Sequence, residues 1–327
     1  MKQPLIILAG PTAVGKTEAS IGLAKAVGGE IISADSMQVY KHMDIGSAKI
    51  KPEEMQGVPH YLIDELEPSE DFNVYRFQEL TKKYMKEIYA KGKIPILVGG
   101  TGFYIQSVLY DIDFTSTDTD TAYREELEAL AKEKGAAYLH QMLQQVDKKS
   151  AEDIHANNVK RVIRALEYYK QTGQPISKHN EEERAKTSPY NFAYFVLNDE
   201  RSNVYERINK RVDLMFEAGL VEEVKGLLTL GCRRDMVSMQ GLGYKEVIDY
   251  LSEKLSLEQA VDQIKQETRH FAKRQLTWFR RERDVVWVNK NELEHDNQKI
   301  LEYMLQVLQE KNIITKEQTE RIQQWQI

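Results

Sequence analysis

The phosphate-loop pattern near the start of the chain is the strongest constraint on its fold. Gly10 to Thr17 read GPTAVGKT, a full match to the pattern G-x-x-x-x-G-K-[ST]. The apolar run LIILA, which begins at Leu5, comes directly before this loop, and a helical segment follows from Thr17. A strand, a glycine-rich loop and a helix in this order are typical of an α/β protein that binds a phosphate or pyrophosphate. The pattern leaves open which phosphate compound binds.

The residue types in this loop suit a phosphate ligand. Gly10 and Gly15 let the backbone turn so that successive N–H groups face phosphate oxygens at the positive end of a helix. Lys16 supplies a positive charge, and the hydroxyl of Thr17 is placed to bind Mg²⁺. We therefore predict pyrophosphate or nucleotide binding at Gly10, Pro11, Thr12, Ala13, Val14, Gly15, Lys16 and Thr17.

Four further short apolar runs predict buried strands beside the first. They begin at Glu30 (EIISADS), Ile94 (IPILVGG), Phe192 (FAYFVLN) and Val285 (VVWV). Because helical segments separate the first three strands, we predict an α/β fold: a P-loop NTPase-like, mainly parallel sheet flanked by helices, with an all-helical insertion domain. Ligands on such sheets bind at the carboxyl ends of the strands, so polar residues at those ends become site candidates.

Two of these strand ends carry such loops. Asp35 follows the second strand, where a carboxylate can hold Mg²⁺ through water or accept a proton from a substrate; alternatively, Asp35 or Ser36 serves as a helix N-cap. The third strand leads into Gly99–Gly102, which is either a plain turn or a backbone segment close to a ligand, with the hydroxyl of Thr101 available to it. We predict that both loops meet the phosphate loop at one edge of the sheet.

A pair of arginines offers a further anion-binding candidate. Arg207 and Arg211 lie four residues apart on a predicted helix and therefore face the same side. Either they clamp a pyrophosphate or they pair with surface acids, and the sequence does not decide between these roles.

The region from 114 to 189 predicts a helical insertion, because it lacks strand-like runs and is rich in Glu, Lys, Gln and Ala. In one helix the apolar residues from Val159 to Tyr169 recur at helical spacing, and Gly173 with Pro175 ends it. The predicted organisation is a catalytic α/β core at 1–113 and 190–290, which includes a basic helix, the insertion at 114–189, and a helical tail without chemical motifs at 291–327.

Charge and cysteine usage narrow the class of protein. The net charge of −6 argues against a protein that coats nucleic acid indiscriminately. Between Ile264 and Arg283, however, seven Lys and Arg residues stand against two acids, a local balance of +5 that suits one particular polyanion or a solvated helix face. The single cysteine, Cys232, excludes a disulfide framework. We expect a cytoplasmic protein without a signal peptide, since the first strand begins almost at once and the apolar runs are too short to span a bilayer.

Six segments, in order from about Pro4 to Arg283, resemble the tRNA dimethylallyltransferase family, also called isopentenyl-pyrophosphate transferases. They are GPTAVGKT at Gly10, ISADSMQVYKHMDIGSAK at Ile32, VGGTGFY at Val98, NNVKRVIRALE at Asn157, MQGLGYKE at Met239 and ETRHFAKRQLTWFRR at Glu267. Many kinases and ATPases share the phosphate loop, but the other segments are much more specific in combination. Two positions depart from the family pattern: His42 stands where glycine is expected, and Ser47 where threonine is expected.

The resemblance implies a prenyl transfer to RNA. A dimethylallyl group would move from dimethylallyl pyrophosphate to the N6 amine of the adenosine 3′-adjacent to the tRNA anticodon. The phosphate loop would hold the pyrophosphate of the donor instead of ATP, with Lys16 and a Mg²⁺ ion on Thr17 stabilising the departing charge. Asp35 would orient the amine and take its proton, and Thr101 would help to place the reacting groups.

The resemblance also implies tRNA as the partner, bound through its anticodon stem-loop after the target base leaves the stack. The residues predicted to contact tRNA are Asp35, Ser36, Met37, Gln38, Thr101, Arg124, Asn158, Val159, Lys160, Arg161, Arg164, Gln240, Gly241, Leu242, Gly243, Tyr244, Arg269, Lys273 and Arg274. The helical insertion is expected to close over the RNA. We expect Mg²⁺ as cofactor and a monomer with no obligate protein partner and no membrane contact.

Three other classes of protein share part of the pattern. A small-molecule or nucleotide kinase would account for the phosphate loop and Asp35, but not for the basic helix with Trp278 or for the glycine-rich loop Gly99–Gly102. An isoprenoid transferase acting on free adenine nucleotides would not need separate basic helices. A non-enzymatic RNA-binding protein would not need a phosphate loop beside a carboxylate.

Overall fold

The computed structural model of the chain describes residues 2–114 and 121–315. Part of the predicted tail, 316–327, lies outside the described residues. Within these two ranges, no helix is both long and apolar enough to cross a membrane.

A parallel sheet forms the centre of the fold. Its strands in the described residues are β1 (Pro4–Ala9), β2 (Glu30–Ala34), β3 (His60–Tyr61), β4 (Pro95–Gly99), β5 (Asn191–Asn198) and β6 (Val285–Asn289), in the spatial order β3-β2-β4-β1-β5-β6. All neighbouring pairs are parallel. β1 is buried from Leu5 to Ala9, as expected for a central strand covered on both faces. The predicted α/β class is confirmed.

Helices connect the strands. Those in the described residues are α1 (Lys16–Val27), α2 (Val74–Ala90), α3 (Gly102–Leu109), α4 (Thr121–Lys134), α5 (Ala136–Val146), α6 (Lys148–Asp153), α7 (Val159–Thr172), α8 (Ile176–Ala185), α9 (Arg201–Glu217), α10 (Leu220–Thr229), α11 (Tyr244–Leu251), α12 (Leu257–Phe279) and α13 (Asn297–Glu310). A short 3-10 helix, Ser238–Gln240, precedes α11. The long basic helix α12 begins at a capping box, in which Oγ of Ser256 accepts from the N–H of Gln259 and Oε1 of Gln259 accepts from the N–H of Ser256. The predicted helix stop at Gly173 is observed, since Gly173 has φ 68 and follows the last residue of α7.

The chain forms two compact units. One contains the described residues of Met1–Leu109 and Pro189–Ile327, and the other those of Tyr110–Ser188. Between 121 and 185 the second unit consists of α4 to α8, with a buried core that includes Leu127, Leu143 and Leu166. The predicted insertion, 114–189, starts four residues after this unit and ends one residue after it. Its role as a tRNA-contacting domain stays a prediction.

The described part of the C-terminal segment belongs to the core of the first unit. Ile300, Met304 and Leu308 of α13 are buried in the same apolar cluster as Leu8 of β1 and Leu23 of α1. The segment from 291 to 315 is therefore packed on the sheet and its flanking helix, which the sequence alone did not indicate.

The strand order does not follow the order of the strands along the chain, because β4 is inserted between β2 and β1. Asp35 follows β2, and β4 lies between β2 and β1. The Gly99–Gly102 loop at the end of β4 therefore separates Asp35 from the phosphate loop along the sheet edge. β3 was not predicted, because a strand of two residues is too short to show an alternation of apolar and polar residues.

Candidate active site

The phosphate loop occupies the turn between β1 and α1. Gly10 has φ 150, and a Cβ atom there would lie 2.6 Å from the carbonyl oxygen of Leu197 on β5, so only glycine fits. Gly15 has φ 100 and precedes the first residue of α1, Lys16. The N-terminus of α1, whose first N–H groups have no partner within the helix, therefore opens onto the loop.

Lys16 lies against the loop. Its Nζ donates to the carbonyl oxygens of Gly10 at 3.0 Å and Pro11 at 2.9 Å. Burial, together with the neighbouring charge of Arg211, lowers the pKa of Lys16 from 10.5 to about 8, although Asp35 acts in the opposite direction. Lys16 is thus an ammonium group that an incoming anion would stabilise.

The two arginines of α9 have different surroundings. Arg207 donates through Nε to the carbonyl oxygen of Ala13 at 2.8 Å and through Nη2 to the carboxylate of Asp199 at 2.5 Å. Within the described parts of the chain, Arg211 donates a single, long hydrogen bond of 3.5 Å, from Nη1 to Oγ1 of Thr12. Among the described residues no carboxylate pairs with Arg211 or with Lys16. Burial and the charge of Arg207 lower the pKa of Arg211.

A second set of residues, Asp199, Lys290 and His295, supports the outer side of the phosphate loop, and the sequence analysis did not predict these residues. Asp199, whose side chain is fully buried, also accepts from Nε2 of His295 at 3.0 Å. Lys290 donates to the carbonyl oxygen of Val14 at 3.4 Å. Lys290 and His295 lie in the segment after β6, where no motif marked them. The carbonyl oxygens of Ala13 and Val14 thus point outward, toward Arg207 and Lys290. Because the C=O and N–H of a trans peptide point in opposite directions, the N–H groups of the same two peptides face into the loop, where a phosphate would bind.

Asp35 is held by its own backbone. Its Oδ1 accepts from the N–H groups of Met37 at 2.8 Å and Gln38 at 3.4 Å. Among the described residues no donor binds Oδ2. The carboxylate is close enough to Lys16 and Arg211 for its charge to oppose the lowering of their pKa values that burial causes. Asp35 therefore presents one oriented, unpaired oxygen beside two cations.

Gln275 of α12 joins the phosphate loop to the loop after β4. Its Oε1 accepts from the N–H of Thr12 at 2.8 Å, and its Nε2 donates to the carbonyl oxygen of Gly100 at 3.0 Å. A Cβ atom at Gly100 would collide with the Gln275 amide, and one at Gly102 with the indole of Trp278. Gln275 lies within the T-R-x-x-A-K-R-Q segment, so the motif could have identified it although we did not predict it.

Thr101 lies between those two glycines. Its N–H donates to the carbonyl oxygen of Ala34 at 3.3 Å, and its own carbonyl oxygen accepts from the N–H of Tyr104 at the start of α3. Its half-buried hydroxyl has no partner among the described residues. The structure thus brings together at one edge of the sheet the phosphate loop, Asp35, Thr101 and Arg211.

The predicted tRNA contacts in the first unit fall into two groups. Arg269 donates to Oδ1 of Asn209 at 2.6 Å, whereas Lys273 and Arg274 of the same helix are exposed. The second group surrounds Asp35: Ser36, Met37 and Gln38 are half-buried, as is Leu242, while Gln240 is exposed and Gly241, Gly243 and Tyr244 are buried. Gly241 is in contact distance of Met37, because a Cβ atom there would lie 2.9 Å from the Met37 Cε.

The predicted tRNA contacts in the second unit lie around the start of α7. Asn158, Lys160 and Arg161 are exposed, whereas Val159 and Arg164 are half-buried. Arg124 of α4 forms a bidentate pair with the buried carboxylate of Glu167 on α7, with Nε 2.8 Å from Oε1 and Nη2 2.9 Å from Oε2. The exposed side of the Arg124 guanidinium is therefore held in a fixed orientation.

The oxygen donors at the sheet edge suit a Mg²⁺ ion that binds together with a phosphate. Thr17 offers an exposed side chain with a hydroxyl, and Asp35 a carboxylate oxygen. In the described ranges, no group of three or more His, Cys, Asp and Glu side chains could hold a metal. Mg²⁺ in phosphate sites keeps several waters and takes one or two protein ligands with phosphate oxygens, so this sparse donor set is sufficient.

Fold and site together define a class of protein. They are typical of a P-loop-fold enzyme that acts on a phosphorylated substrate, because a phosphate loop, cations without a carboxylate partner and a neighbouring carboxylate lie together at the edge of a parallel sheet. The family description "IPP transferase" matches residues 38–282, and the chain belongs to this family. The matched range begins after the phosphate loop, so the family assignment and the loop pattern are separate findings.

Individual relatives agree with the family. The tRNA dimethylallyltransferase of Lachnoclostridium phytofermentans is 62% identical over 312 residues, which cover 95% of this chain and 99% of that protein. The tRNA dimethylallyltransferase of Acetivibrio thermocellus is 52% identical over 303 residues, 92% of this chain and 97% of that protein. The crystal structure of the tRNA isopentenylpyrophosphate transferase of Bacillus halodurans has a TM-score of 0.71 at 46% identity, and covers 95% of this chain and 98% of that one.

Proposed function

We propose that this chain transfers a dimethylallyl group from dimethylallyl pyrophosphate to the N6 amine of the adenosine 3′-adjacent to the tRNA anticodon, and releases pyrophosphate. The observation that carries this proposal is the pair of unpaired cations, Lys16 and Arg211, beside the unpaired Oδ2 of Asp35. The cations suit a pyrophosphate, and the carboxylate suits an amine that must lose a proton. Membership in the IPP transferase family supports the choice over a kinase.

The reaction exchanges one bond at the allylic carbon. The bond between that carbon and the pyrophosphate oxygen breaks as the bond to N6 of adenine forms, and the electron pair leaves with pyrophosphate. Lys16, Arg211 and the N–H groups of the phosphate loop stabilise the charge that develops on the leaving group. When bound at Thr17 and the pyrophosphate, Mg²⁺ would supply further charge neutralisation.

Asp35 orients the nucleophile, the N6 amine, and accepts its proton. An exocyclic amine of adenine is a weak nucleophile, so its position against the allylic carbon decides the rate. Oδ1 is fixed by the N–H groups of Met37 and Gln38, which leaves Oδ2 to accept a hydrogen bond from N6. As the new bond forms, the N6 proton passes to this carboxylate and then to solvent. No covalent intermediate on the enzyme is required.

Exposed cations supply the binding of RNA. Lys273 and Arg274 on α12, and Lys160 and Arg161 on α7, offer contacts to phosphates, which position a nucleic acid without reading its sequence. In the loop next to Met37, the exposed Gln240 and the half-buried Leu242 suit contacts with anticodon-loop bases, whereas Tyr244 is buried beneath them. We place this activity in the cytoplasm, because its substrate tRNA is found there, and expect the protein to act as a monomer.

The decisive experiment measures transfer of labelled dimethylallyl from its pyrophosphate to unmodified tRNA and to free AMP, with Mg²⁺ and without ATP. We expect label in tRNA alone. Asp35→Asn should lower kcat by about 10² to 10⁴ while leaving binding of the donor nearly unchanged. Asp153→Asn, at an exposed position of the second unit, serves as control.

Other outcomes of this experiment point elsewhere. Label on AMP would assign a transferase for free nucleotides. Absence of transfer to either acceptor, with ATP consumed in the presence of a small hydroxyl compound, would assign a kinase. Full activity of the Asp35→Asn variant would remove the carboxylate from the mechanism.

A further inference from the structure

Glu223, in the first turn of α10, binds three consecutive backbone N–H groups of a distant loop. Its Oε2 accepts from Asp44 at 2.9 Å and Ile45 at 2.7 Å, and its Oε1 accepts from Gly46 at 3.0 Å. Among the described residues, Glu223 has no cationic partner. The negative charge of Glu223 is therefore balanced by the dipoles of three peptide groups. Hydrogen bonds to a charged group are stronger than those between neutral groups, so the carboxylate holds the loop firmly.

The same carboxylate also binds the loop proposed to read tRNA bases. The hydroxyl of Tyr244, a fully buried residue at the start of α11, donates to Oε1 of Glu223 at 2.9 Å. Burial and the Glu223 charge raise the pKa of Tyr244, so the phenol keeps its proton and stays a donor. Glu223 thus joins segment 44–46 to segment 240–244, although almost two hundred residues separate them along the chain.

Steric contacts lock the two segments together. A Cβ atom at Gly46 would lie 2.6 Å from the Cζ atom of Tyr244, so the backbone of segment 44–46 lies directly on the ring. Gly241 also lies against Met37, since a Cβ atom at Gly241 would be 2.9 Å from the Met37 Cε atom. The N–H of Met37 in turn donates to Oδ1 of Asp35 at 2.8 Å. A continuous series of contacts therefore runs from Glu223 to the carboxylate proposed as catalytic base.

The loop after β2 has a second anchor in the buried ammonium of Lys49, which donates to the carbonyl oxygen of Tyr40 at 2.7 Å and to the carboxylate of Asp44 at 2.6 Å. Between β2 and β3 the chain forms turns and one isolated bridge, from Tyr40 to Leu66, but no helix or longer strand. Backbone N–H groups in such a segment need partners from side chains or water. Glu223 supplies partners to three of them, so its removal would free the N–H groups of segment 44–46 and its link to Tyr244, while Lys49 and the sheet keep the rest of the loop in place.

We propose that Glu223 is a positioning residue, which holds segments 44–46 and 240–244 in the arrangement that accepts the anticodon loop and orients Asp35. The proposal rests on the proposed tRNA transfer. Glu223 does not touch the pyrophosphate site, so it should influence the RNA substrate and leave the donor alone. This division between substrates is a property that a purely structural residue would not show.

The test compares Glu223→Gln with Glu222→Gln. Glutamine keeps the size of the side chain, but its amide presents a donor to groups that are themselves donors. Glu222 lies one position earlier on α10, is exposed and, among the residues that the structure describes, pairs with Lys225 alone, so its variant is a matched control. For Glu223→Gln we expect the KM for unmodified tRNA to rise about tenfold, with a lower kcat and a KM for dimethylallyl pyrophosphate within about twofold of wild type.

Two outcomes would overturn the proposal: an unchanged KM for tRNA, or an equal rise of the KM for both substrates. If Glu223→Gln does not fold, Tyr244→Phe removes only the phenol hydrogen bond and should still raise the KM for tRNA about threefold, and an unchanged value would overturn the proposal instead. The wild-type protein runs in the same assay. Absence of transfer by wild type refutes the proposed function, whereas wild-type transfer with an unaltered Glu223 variant refutes only the role of Glu223.

Discussion

Arg207 is bound to the buried carboxylate of Asp199, with 2.5 Å between Nη2 and Oδ2. Although burial of Asp199 acts in the opposite direction, hydrogen bonds from Arg207 and His295 hold the pKa of this carboxyl down at about 2. The charge of Arg207 is thereby neutralised, and its Nε is fixed on the carbonyl of Ala13. Arg211, one turn further along α9, has no such partner in the described parts of the chain, and so remains available for an anion.

The first prediction separates these two arginines. Arg211→Gln should raise the KM for dimethylallyl pyrophosphate by about 10- to 100-fold, because a charged hydrogen bond to the pyrophosphate is lost. Arg207→Gln should lower stability more than Arg211→Gln does, because it leaves Asp199 buried with one cation fewer. Steady-state kinetics with thermal unfolding of both variants checks this. The reverse pattern, with donor binding lost mainly in Arg207→Gln, would show that the ion pair opens on binding.

The second prediction concerns pH. Lys16 has a pKa of about 8 in the donor-free protein, and a bound pyrophosphate must raise it. A group whose pKa rises on binding contributes fully below its free pKa and loses its contribution as pH increases through the bound value. The KM for the donor should therefore be constant below about pH 8 and rise above it, by up to about tenfold per pH unit.

The control for this pH dependence is Lys16→Arg, since a guanidinium group does not titrate in this range. Whatever its activity, this variant should show a flat KM between about pH 7 and about pH 9.5. A flat profile in the wild-type protein would mean that Lys16 does not bind the pyrophosphate in the assumed way.

The third prediction tests the brace outside the phosphate loop. Lys290→Met should raise the KM for dimethylallyl pyrophosphate about two- to tenfold without altering the KM for tRNA, because the carbonyl of Val14 loses its cationic partner. Lys299→Met is the matched control, since Lys299 lies in the same C-terminal region and pairs with Glu294 at the surface. Equal kinetics of the two variants would remove Lys290 from the site.

The fourth prediction concerns the departure from the family pattern at His42. This residue has φ 63, a left-handed conformation in which a side chain is strained and glycine is not. His42→Gly should therefore raise the free energy of unfolding by about 0.5–1 kcal/mol. His42→Ala keeps both the Cβ atom and the strain, and should give no gain. Urea denaturation of both variants would reveal a different cause if alanine stabilises as much as glycine.

The fifth prediction is a pH-dependent stability. Burial raises the pKa of Glu282, just after α12, from 4.5 to about 7. Because the native state then binds more protons than the unfolded state between these values, stability falls as pH rises from about 4.5 to about 7. Glu282→Gln should be more stable than wild type by about 1–3 kcal/mol at about pH 8, with the gain vanishing near about pH 4.5.

Urea denaturation at both pH values measures this gain. Glu206→Gln, at an exposed position of α9, should give none at either. A Glu282→Gln gain that is independent of pH would have to come from packing and not from titration.

The strands and the phosphate loop were predictable because their determinants are local. The run LIILA followed by GPTAVGKT contains its own strand, turn and helix start, and the structure has β1 and α1 at these positions. The five strands with apolar runs were all predicted, while the two-residue β3 was missed. Segment order and motif combination also indicated the family, which the matched range 38–282 confirms.

Side-chain partners between distant segments were not predictable. The sequence shows Arg207 and Arg211 as equivalent neighbours on one helix face, and only the fold places the Asp199 carboxylate against the first and not the second. The same holds for Gln275, which joins the phosphate loop to Gly100, and for Lys290, which lies just after β6, where no motif indicates a chemical role.

The sequence by itself determined the elements, the loops at the strand ends and the family, because periodicity and motifs act over a few neighbouring residues. Only the tertiary structure decided the strand order, which inserts β4 between Asp35 and the phosphate loop, and the pairing of each charge. Pairing depends on distances of a few ångströms between residues that lie up to hundreds of positions apart. Such distances are set by the packing of the whole sheet, and no local pattern records them.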